Sequence, residues 1–492
     1  MAQAEVLTRI STGIAGLDEI LHGGLVMARS YLVRGGPGTG KTTMGMHFLA
    51  AGAAAGEPVL WISLGEPETK LRQNATAQGF DLQGVTFLDL SPSAEFFSEV
   101  ETYDIFAPAD VDREPTTQKI IDKVKALQPK RVFVDSMTQF RYLSADAFQF
   151  RKQALSFLRF LSDHGATVLV TAEGSTEVPD NDLQFMCDGV LHLTFEPEGR
   201  ALTVLKVRGA DFRSGDHSIR LGAQGITVFP KLIPETQRSE YVSEPLSSGV
   251  PELDALLHGG LERGTISIIT GPSGVGKTTI GLQFIKEMAG RGLNAAVYTF
   301  EEGIETLINR CEQINIPVRA MSERGTLTLH QIEPLRYTPD EFGHLVQQEI
   351  RERQQQVVML DSISGYSLAM HGRDMVPHLH ALSLYLKSLG VTLLLINELE
   401  NITGNFRATD DGVSYLADNV LFLRYIEVRG EMQKAIGVLK KRSGNFEKTL
   451  RRLQITRYGL KVGPPLTGLH GILSGTPELM DPENTQLWNR DA

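Results

Sequence analysis

Two stretches of this chain have the residue types and spacing to cradle a nucleotide's phosphates. Gly35-Gly36-Pro37-Gly38-Thr39-Gly40-Lys41-Thr42 and Gly271-Pro272-Ser273-Gly274-Val275-Gly276-Lys277-Thr278 both satisfy G-x-x-x-x-G-K-[ST]. Glycines let backbone N–H groups turn inward around phosphate oxygens without a Cβ clash. Each loop should open a helix, entered through Thr43 or Thr279, whose N-terminus adds partial positive charge. Lys41 and Lys277 are placed to reach the β- and γ-phosphates of ATP. Thr42 and Thr278 are placed to put a hydroxyl on Mg²⁺. A glycine-rich turn that binds nothing would not be expected to recur in full at an equivalent place.

The same chemistry needs a carboxylate that holds Mg²⁺ through water. Asp135 and Asp361 each end an apolar run, RVFVD and VVMLD, and are read as that group. An Asp in such a place also serves as a helix cap, and the phosphate loops favour the metal role. Phosphoryl transfer further needs a base or orienting group for the attacking oxygen. Glu301-Glu302 follows a predicted strand in the second half, and Gly65-Glu66 holds the equivalent place in the first. Adjacent carboxylates beside phosphates repel each other and the nucleotide, so their presence implies a use. The competing reading is a solvated helix start, where acids favour the dipole.

Stepping outward, the elements that hold these groups are written twice. Residues 11–24 read STGIAGLDEILHGG and residues 247–260 read SSGVPELDALLHGG, an offset of 236 (249 − 13) that also carries Lys41 to Lys277 and Glu66 to Glu302. Short apolar runs such as Val59–Leu64, Val132–Asp135, Ala295–Phe300 and Val391–Ile396 alternate with amphipathic stretches. That pattern predicts α/β domains with a mostly parallel, buried central sheet flanked by helices. The expected organisation is 1–228 and 247–462 as domains, 229–246 as linker, and 463–492 as a regulatory loop and tail.

The copies differ ahead of their last strands. Aligning Asp418 with Asp188 puts Ser414 opposite Gln184 and Tyr415 opposite Phe185, so the second copy has hydroxyls where the first has none. Beyond lie Lys206 and Arg208 in the first copy and Lys440 and Arg442 in the second. Alternating cations on a strand share a face. They are either surface charge or fingers aimed at a neighbour's phosphates.

Composition narrows the function classes. The chain has 492 residues, with 41% hydrophobic and 22% charged, which is ordinary for a globular protein and excludes wholesale disorder. Two cysteines cannot make a disulfide framework and fit a reducing cytoplasm. No apolar run reaches the roughly 18 residues of a membrane span. A net charge of −11 argues against a protein that coats nucleic acid.

Together these residues resemble the KaiC family of RecA-like ATPases, the circadian clock ATPase and autokinase. The likeness covers nearly the whole chain, and RYIEVRGEMQKAIGVLKKR after the hydroxyl segment is its most specific part. It implies two tandem RecA-like P-loop domains that assemble into an ATP-dependent homohexameric double ring with nucleotide between subunits. It implies ATP hydrolysis in the first ring and autophosphorylation across the interface in the second. Ser414 corresponds to the family's acceptor Ser and Thr409 to an upstream acceptor Thr, whereas Tyr415 replaces the adjacent Thr. Gly65 replaces one Glu of the usual pair in the first ring. Residues 471–479 are similar to the family's C-terminal regulatory loop. The short stretch beyond them speaks against a KaiA-like activator and leaves a KaiB-like partner. Two other readings stand beside this one: a nucleotide-switched scaffold with little kinase activity, and a RecA-like ATPase acting on DNA.

Overall fold

The computed structural model describes residues 7–92, 113–142, 146–173, 180–197, 199–233, 244–370, 375–399, 413–428, 430–471 and 478–479. The chain divides into two units, Met1–Lys231 and Leu232–Ala492.

The first unit is built on a nine-stranded sheet. Its order is Gly225–Phe229, Asp216–Gly222, Gly199–Val207, Gly189–Glu196, Ser30–Gly35, Thr167–Glu173, Arg131–Asp135, Val59–Ser63, Val85–Asp89. From Gly189–Glu196 to Val85–Asp89 neighbouring strands run parallel, and the three remaining strands join by antiparallel hairpins. The second unit repeats this order: Leu327–Gln331, Ala295–Thr299, Val357–Asp361, Thr392–Leu399, Ile266–Pro272, Asn419–Val428, Glu431–Lys441, Arg451–Thr456, Gly459–Pro465. Sequence reading found the central strands and missed the parallel edges Val85–Asp89 and Leu327–Gln331. Strands Gly225–Phe229 and Pro245–Leu246 both reach into the stretch read as linker, and Gly459–Pro465 reaches into the one read as tail.

The apolar runs are continuous because helices cover both faces of each sheet. Along one strand, Ala295 and Val297 enter one core while Ala296 and Tyr298 enter the other. Val59 and Trp61 part from Leu60 and Ile62 in the same way. A one-residue register slip would exchange the two cores, so the register is strongly fixed.

The repeated N-terminal motif has a structural role. Asp254 Oδ1 accepts from the backbone N–H and the hydroxyl of Ser248, both at 2.7 Å, and Oδ2 accepts from Ser247 Oγ at 2.5 Å. Asp18 holds Ser11 and Thr12 at the same distances. Each carboxylate ties the chain ahead of the first short helix, and the motif's Ser/Thr-to-Asp spacing serves this cage.

Candidate nucleotide sites

Each phosphate loop leaves the carboxyl end of a strand flanked by parallel neighbours. Ser30–Gly35 feeds the helix Lys41–Ala54, and Ile266–Pro272 feeds Lys277–Gly290. Gly40 and Gly276 cap these helices at φ 104° and 115°, in the left-handed region where a side chain is strained. A Cβ at Gly276 would also stand 2.5 Å from Ile455.

The two sites share a skeleton. Thr278 Oγ1 donates to Asp361 Oδ2 at 2.8 Å, and Thr42 Oγ1 to Asp135 Oδ2 at 2.7 Å. Lys277 Nζ donates to Pro272 O at 2.9 Å. Lys41 Nζ donates to Gly35 O and Gly36 O, both at 2.8 Å. The loop residues Gly36, Pro37, Gly38 and Thr39, and their counterparts Pro272, Ser273, Gly274 and Val275, thus sit where the lysine and the helix N-terminus meet. Val275 itself is fully buried and offers only its backbone. Thr43 is buried, its hydroxyl 3.2 Å from Gln78 Oε1, and Thr279 is buried as well.

Around the second loop lies a cavity of about 420 Å³, lined by Lys277, Thr278, Glu301, Glu302, Asp361, Glu398 and others. Burial pushes the Asp361 carboxyl up to about 6; Thr278 and Arg310 oppose this, and Glu302 and Glu301 reinforce it. The donor set fits Mg²⁺, which takes one or two protein oxygens and draws the rest from phosphate and water. A dication would also offset the crowded carboxylates. Among the described residues no group of three or more His, Cys, Asp or Glu side chains is gathered as an all-protein metal site.

The Glu pair does not behave as two unpaired, repelling charges. Arg310 grips Glu302 with both ends of its guanidinium, at 2.7 and 3.2 Å. Burial pulls the Arg310 pKa down, but the Glu302 hydrogen bond outweighs it and the net shift is upward. Glu301 Oε1 accepts from Ser362 Oγ at 2.8 Å. The adjacent side chains therefore diverge to different partners. In the first domain Glu66 is exposed and pairs with Lys70 at 3.5 Å, and Asn74 holds the place of Arg310.

Sequence reading missed three groups. Parallel register sets Glu398 beside Gly271 and Glu173 beside Gly35, at the end of the strand between the loop strand and the Asp strand. Burial lowers the Lys277 pKa, and Glu398, Asp361 and Glu301 oppose that; burial lowers that of Lys41, opposed by Asp135 and Glu173. The signal was present as a Glu at the end of each apolar run, but these strands align at an offset of 225, not 236. Lys434 and Arg200 are the second group: Lys434 Nζ donates to Gly274 O at 2.9 Å and Arg200 Nε to Gly38 O at 3.2 Å. Arg310 is the third.

The four alternating cations lie at the opposite end of the sheet. Lys440 Nζ reaches Ser414 O at 3.2 Å and Arg442 Nη2 reaches Tyr415 O at 3.0 Å. In the first domain Lys206 Nζ reaches Gln184 O at 2.7 Å and Arg208 Nη2 reaches Phe185 O at 2.8 Å. The correspondence of Ser414 with Gln184 therefore holds atom for atom. Burial, with a neighbouring Arg, lowers the pKa of Lys206 and of Lys440. Ser414 lies in the one-turn 3₁₀ helix Val413–Tyr415. The following Asp418 N–H donates to Ile266 O, at the start of the loop strand. The phosphate loop lies at the other end of that strand, about 20 Å away at ~3.3 Å per residue. Thr409 lies outside the described residues.

A glycine-rich loop after a central strand, an Asp two strands away and a parallel sheet covered on both faces define a P-loop ATPase of the RecA-like class, here in two copies. The family model described as ATPase, KaiC, matches residues 10–233 and 246–467, and the chain belongs to that family. It is similar to the circadian clock oscillator protein KaiC of Prochlorococcus marinus, 28% identical over 97% of this chain and 96% of that protein. The proteins of the same name from Acaryochloris marina and Synechococcus elongatus are also 28% identical, over 96% and 97% of this chain and 91% and 93% of theirs. Family membership carries ATP binding and ATPase activity. Among the described residues no helix is long and apolar enough to cross a membrane.

Proposed function

We propose that this chain is an ATP-driven switch. It binds Mg²⁺–ATP at both loops, forms a homohexameric double ring, and phosphorylates Ser414 of a neighbouring chain from its second site. The observation that carries this reading is the position of Ser414. It stands about a strand's length from its own phosphate loop, yet beside Lys440 and Arg442, which are suited to meet a neighbour's phosphates. A donor loop at one end of the sheet and an acceptor hydroxyl with its cations at the other is the polarity that ring assembly requires.

In the second site Lys277 would hold the β- and γ-phosphates, while Thr278 and Asp361 would hold Mg²⁺, which neutralises charge on the transferring group. Glu301 is the better base. Its partner is a single serine hydroxyl, whereas both oxygens of Glu302 are engaged by Arg310. Glu301 would accept the proton of the neighbour's Ser414, whose oxygen attacks the γ-phosphorus as ADP departs. In the first domain the same loop parts would serve hydrolysis, with Glu66 as its only acid from the Glu pair. Arg310's hold on Glu302 and the Tyr415 substitution favour a second reading, a nucleotide-switched scaffold signalling to a KaiB-like or other protein partner. Neither reading requires nucleic acid, and DNA repair is the weakest of the three.

Incubation of the purified chain with ATP and Mg²⁺, followed by phosphopeptide mapping and native mass, separates the readings. Phosphate on Ser414 or Thr409 of a hexamer is expected. A hexamer that turns over ATP and carries neither phosphate would leave the scaffold.

A further inference from the structure

The two domains differ at one pair of neighbouring positions, and the differences compensate. Leu64 N–H bonds Asp135 O at 2.9 Å and Phe300 N–H bonds Asp361 O at 3.0 Å, so both domains hold these strands in one register. Gly65 therefore occupies the place of Glu301. Gln139, third residue of the helix Met137–Tyr142, occupies the place of Gly365, third residue of Ile363–Ala369. In the second domain the glycine is needed to admit the carboxylate. A Cβ at position 365 would come within 2.8 Å of Glu301 Oε1 and 3.2 Å of its Cγ. In the first domain the roles of the positions are exchanged. A Cβ at Gly65 would meet only the Cγ of Gln139, at 4.0 Å. One side chain fills this space in each domain, from opposite sides: a carboxylate in the second, a carboxamide in the first.

We propose that Gln139 takes the place of the missing glutamate and orients the attacking water at the first phosphate loop. This rests on the reading that the first domain hydrolyses ATP. A carboxamide can accept one hydrogen bond from water and donate another, but it cannot take up a proton at neutral pH. Positioning alone suffices for phosphoryl transfer to water, where a glutamine is a known orienting group. The water oxygen bonds to the γ-phosphorus as the bond to the β–γ bridging oxygen breaks, and ADP leaves. One water proton stays on the new phosphate oxygen and the other passes to another phosphate oxygen. The first domain thus runs a base-free reaction, while the second keeps a carboxylate able to deprotonate a serine.

The test uses the full chain with Lys277→Ala, so that only the first loop holds ATP, and follows bound ATP and hydrolysis separately. Adding Gln139→Ala should lower turnover tenfold or more with bound ATP unchanged. The exchange Gly65→Glu with Gln139→Gly should restore it. Turnover untouched by Gln139→Ala, a loss that follows lost ATP binding, or failure of the exchange to recover overturns the proposal. If the Lys277→Ala parent binds ATP and does not hydrolyse it at all, the first-domain hydrolysis reading itself falls, and the Gln139 assignment falls with it.

Discussion

Lys440 Nζ holds the backbone carbonyl of Ser414 at 3.2 Å, and Lys206 holds that of Gln184 at 2.7 Å. One cationic arm thus presents two chemically different side chains, a hydroxyl in one domain and an amide in the other. Only the second can accept a phosphoryl group. If the acceptor serves a neighbour's loop, the donor and acceptor defects should complement each other. A ring mixed from Ser414→Ala and Lys277→Ala chains should carry label, and only on the Lys277→Ala chains. Labelling confined to chains with an intact loop, read by mass-tagging one chain, would show transfer within a subunit.

Lys41 and Lys277 each supply the only loop cation placed to meet the β- and γ-phosphates. Either change to Ala should halve the nucleotide that co-purifies, and the double change should bring it close to zero. Nucleotide content by anion-exchange chromatography reads this directly. Full retention in the double variant would contradict the assignment of both loops.

The loops, the two aspartates and the doubled register were legible because each is written locally, within a run of eight residues or at a constant offset. Glu173 and Glu398 were not, because their partnership with the loop depends on which strands lie side by side. Arg310 escaped for another reason: eight residues from Glu302, it reaches it only after a turn and a helix. The pair Glu301-Glu302 looked self-repelling in sequence, since nothing there indicates that Ser362 and Arg310 draw the two carboxylates apart. The cations on the last strands were legible as a shared face. That they grip the Ser414 and Gln184 segments depended on the hairpin register.

Arg310 tests how far that grip matters. Both its contacts go to Glu302, and the pair is partly exposed, with 41% of the Arg and 27% of the Glu side chain accessible. Solvent screening limits its worth to stability, to about 1 kcal/mol or less. Its effect on chemistry should be larger, because a freed Glu302 would swing toward Asp361 and the phosphates. Arg310→Ala should lower second-site turnover about tenfold, which is about 1.4 kcal/mol of barrier, while melting within a few degrees of the parent. Arg310→Lys, which keeps the charge without the fork, should recover part of the rate. A melting shift as large as the rate loss would make Arg310 a fold residue instead.

His47 gives the first domain a pH dependence that the second lacks, since Gln283 stands in its place at the repeat offset. Its Nε2 accepts the Ile226 backbone N–H at 2.9 Å, which ties the helix after the phosphate loop to the strand Gly225–Phe229. A backbone bond to Gly13 engages the ring's other side. Burial lowers the pKa from 6.5, and the Gly13 bond opposes that only in part. A protonated imidazole has no acceptor, so the Ile226 bond is lost on charging. The sign follows from linkage. Below 6.5 the unfolded chain binds the proton more readily than the folded one, so stability rises with pH across the window between the folded value and 6.5. It is lost as pH falls from 7 through 6 toward the folded value. Thermal or urea unfolding of the first domain should therefore weaken on acidification over that range. His47→Gln, which keeps an acceptor and does not titrate, should weaken less. Equal slopes for parent and variant would remove His47 from the account.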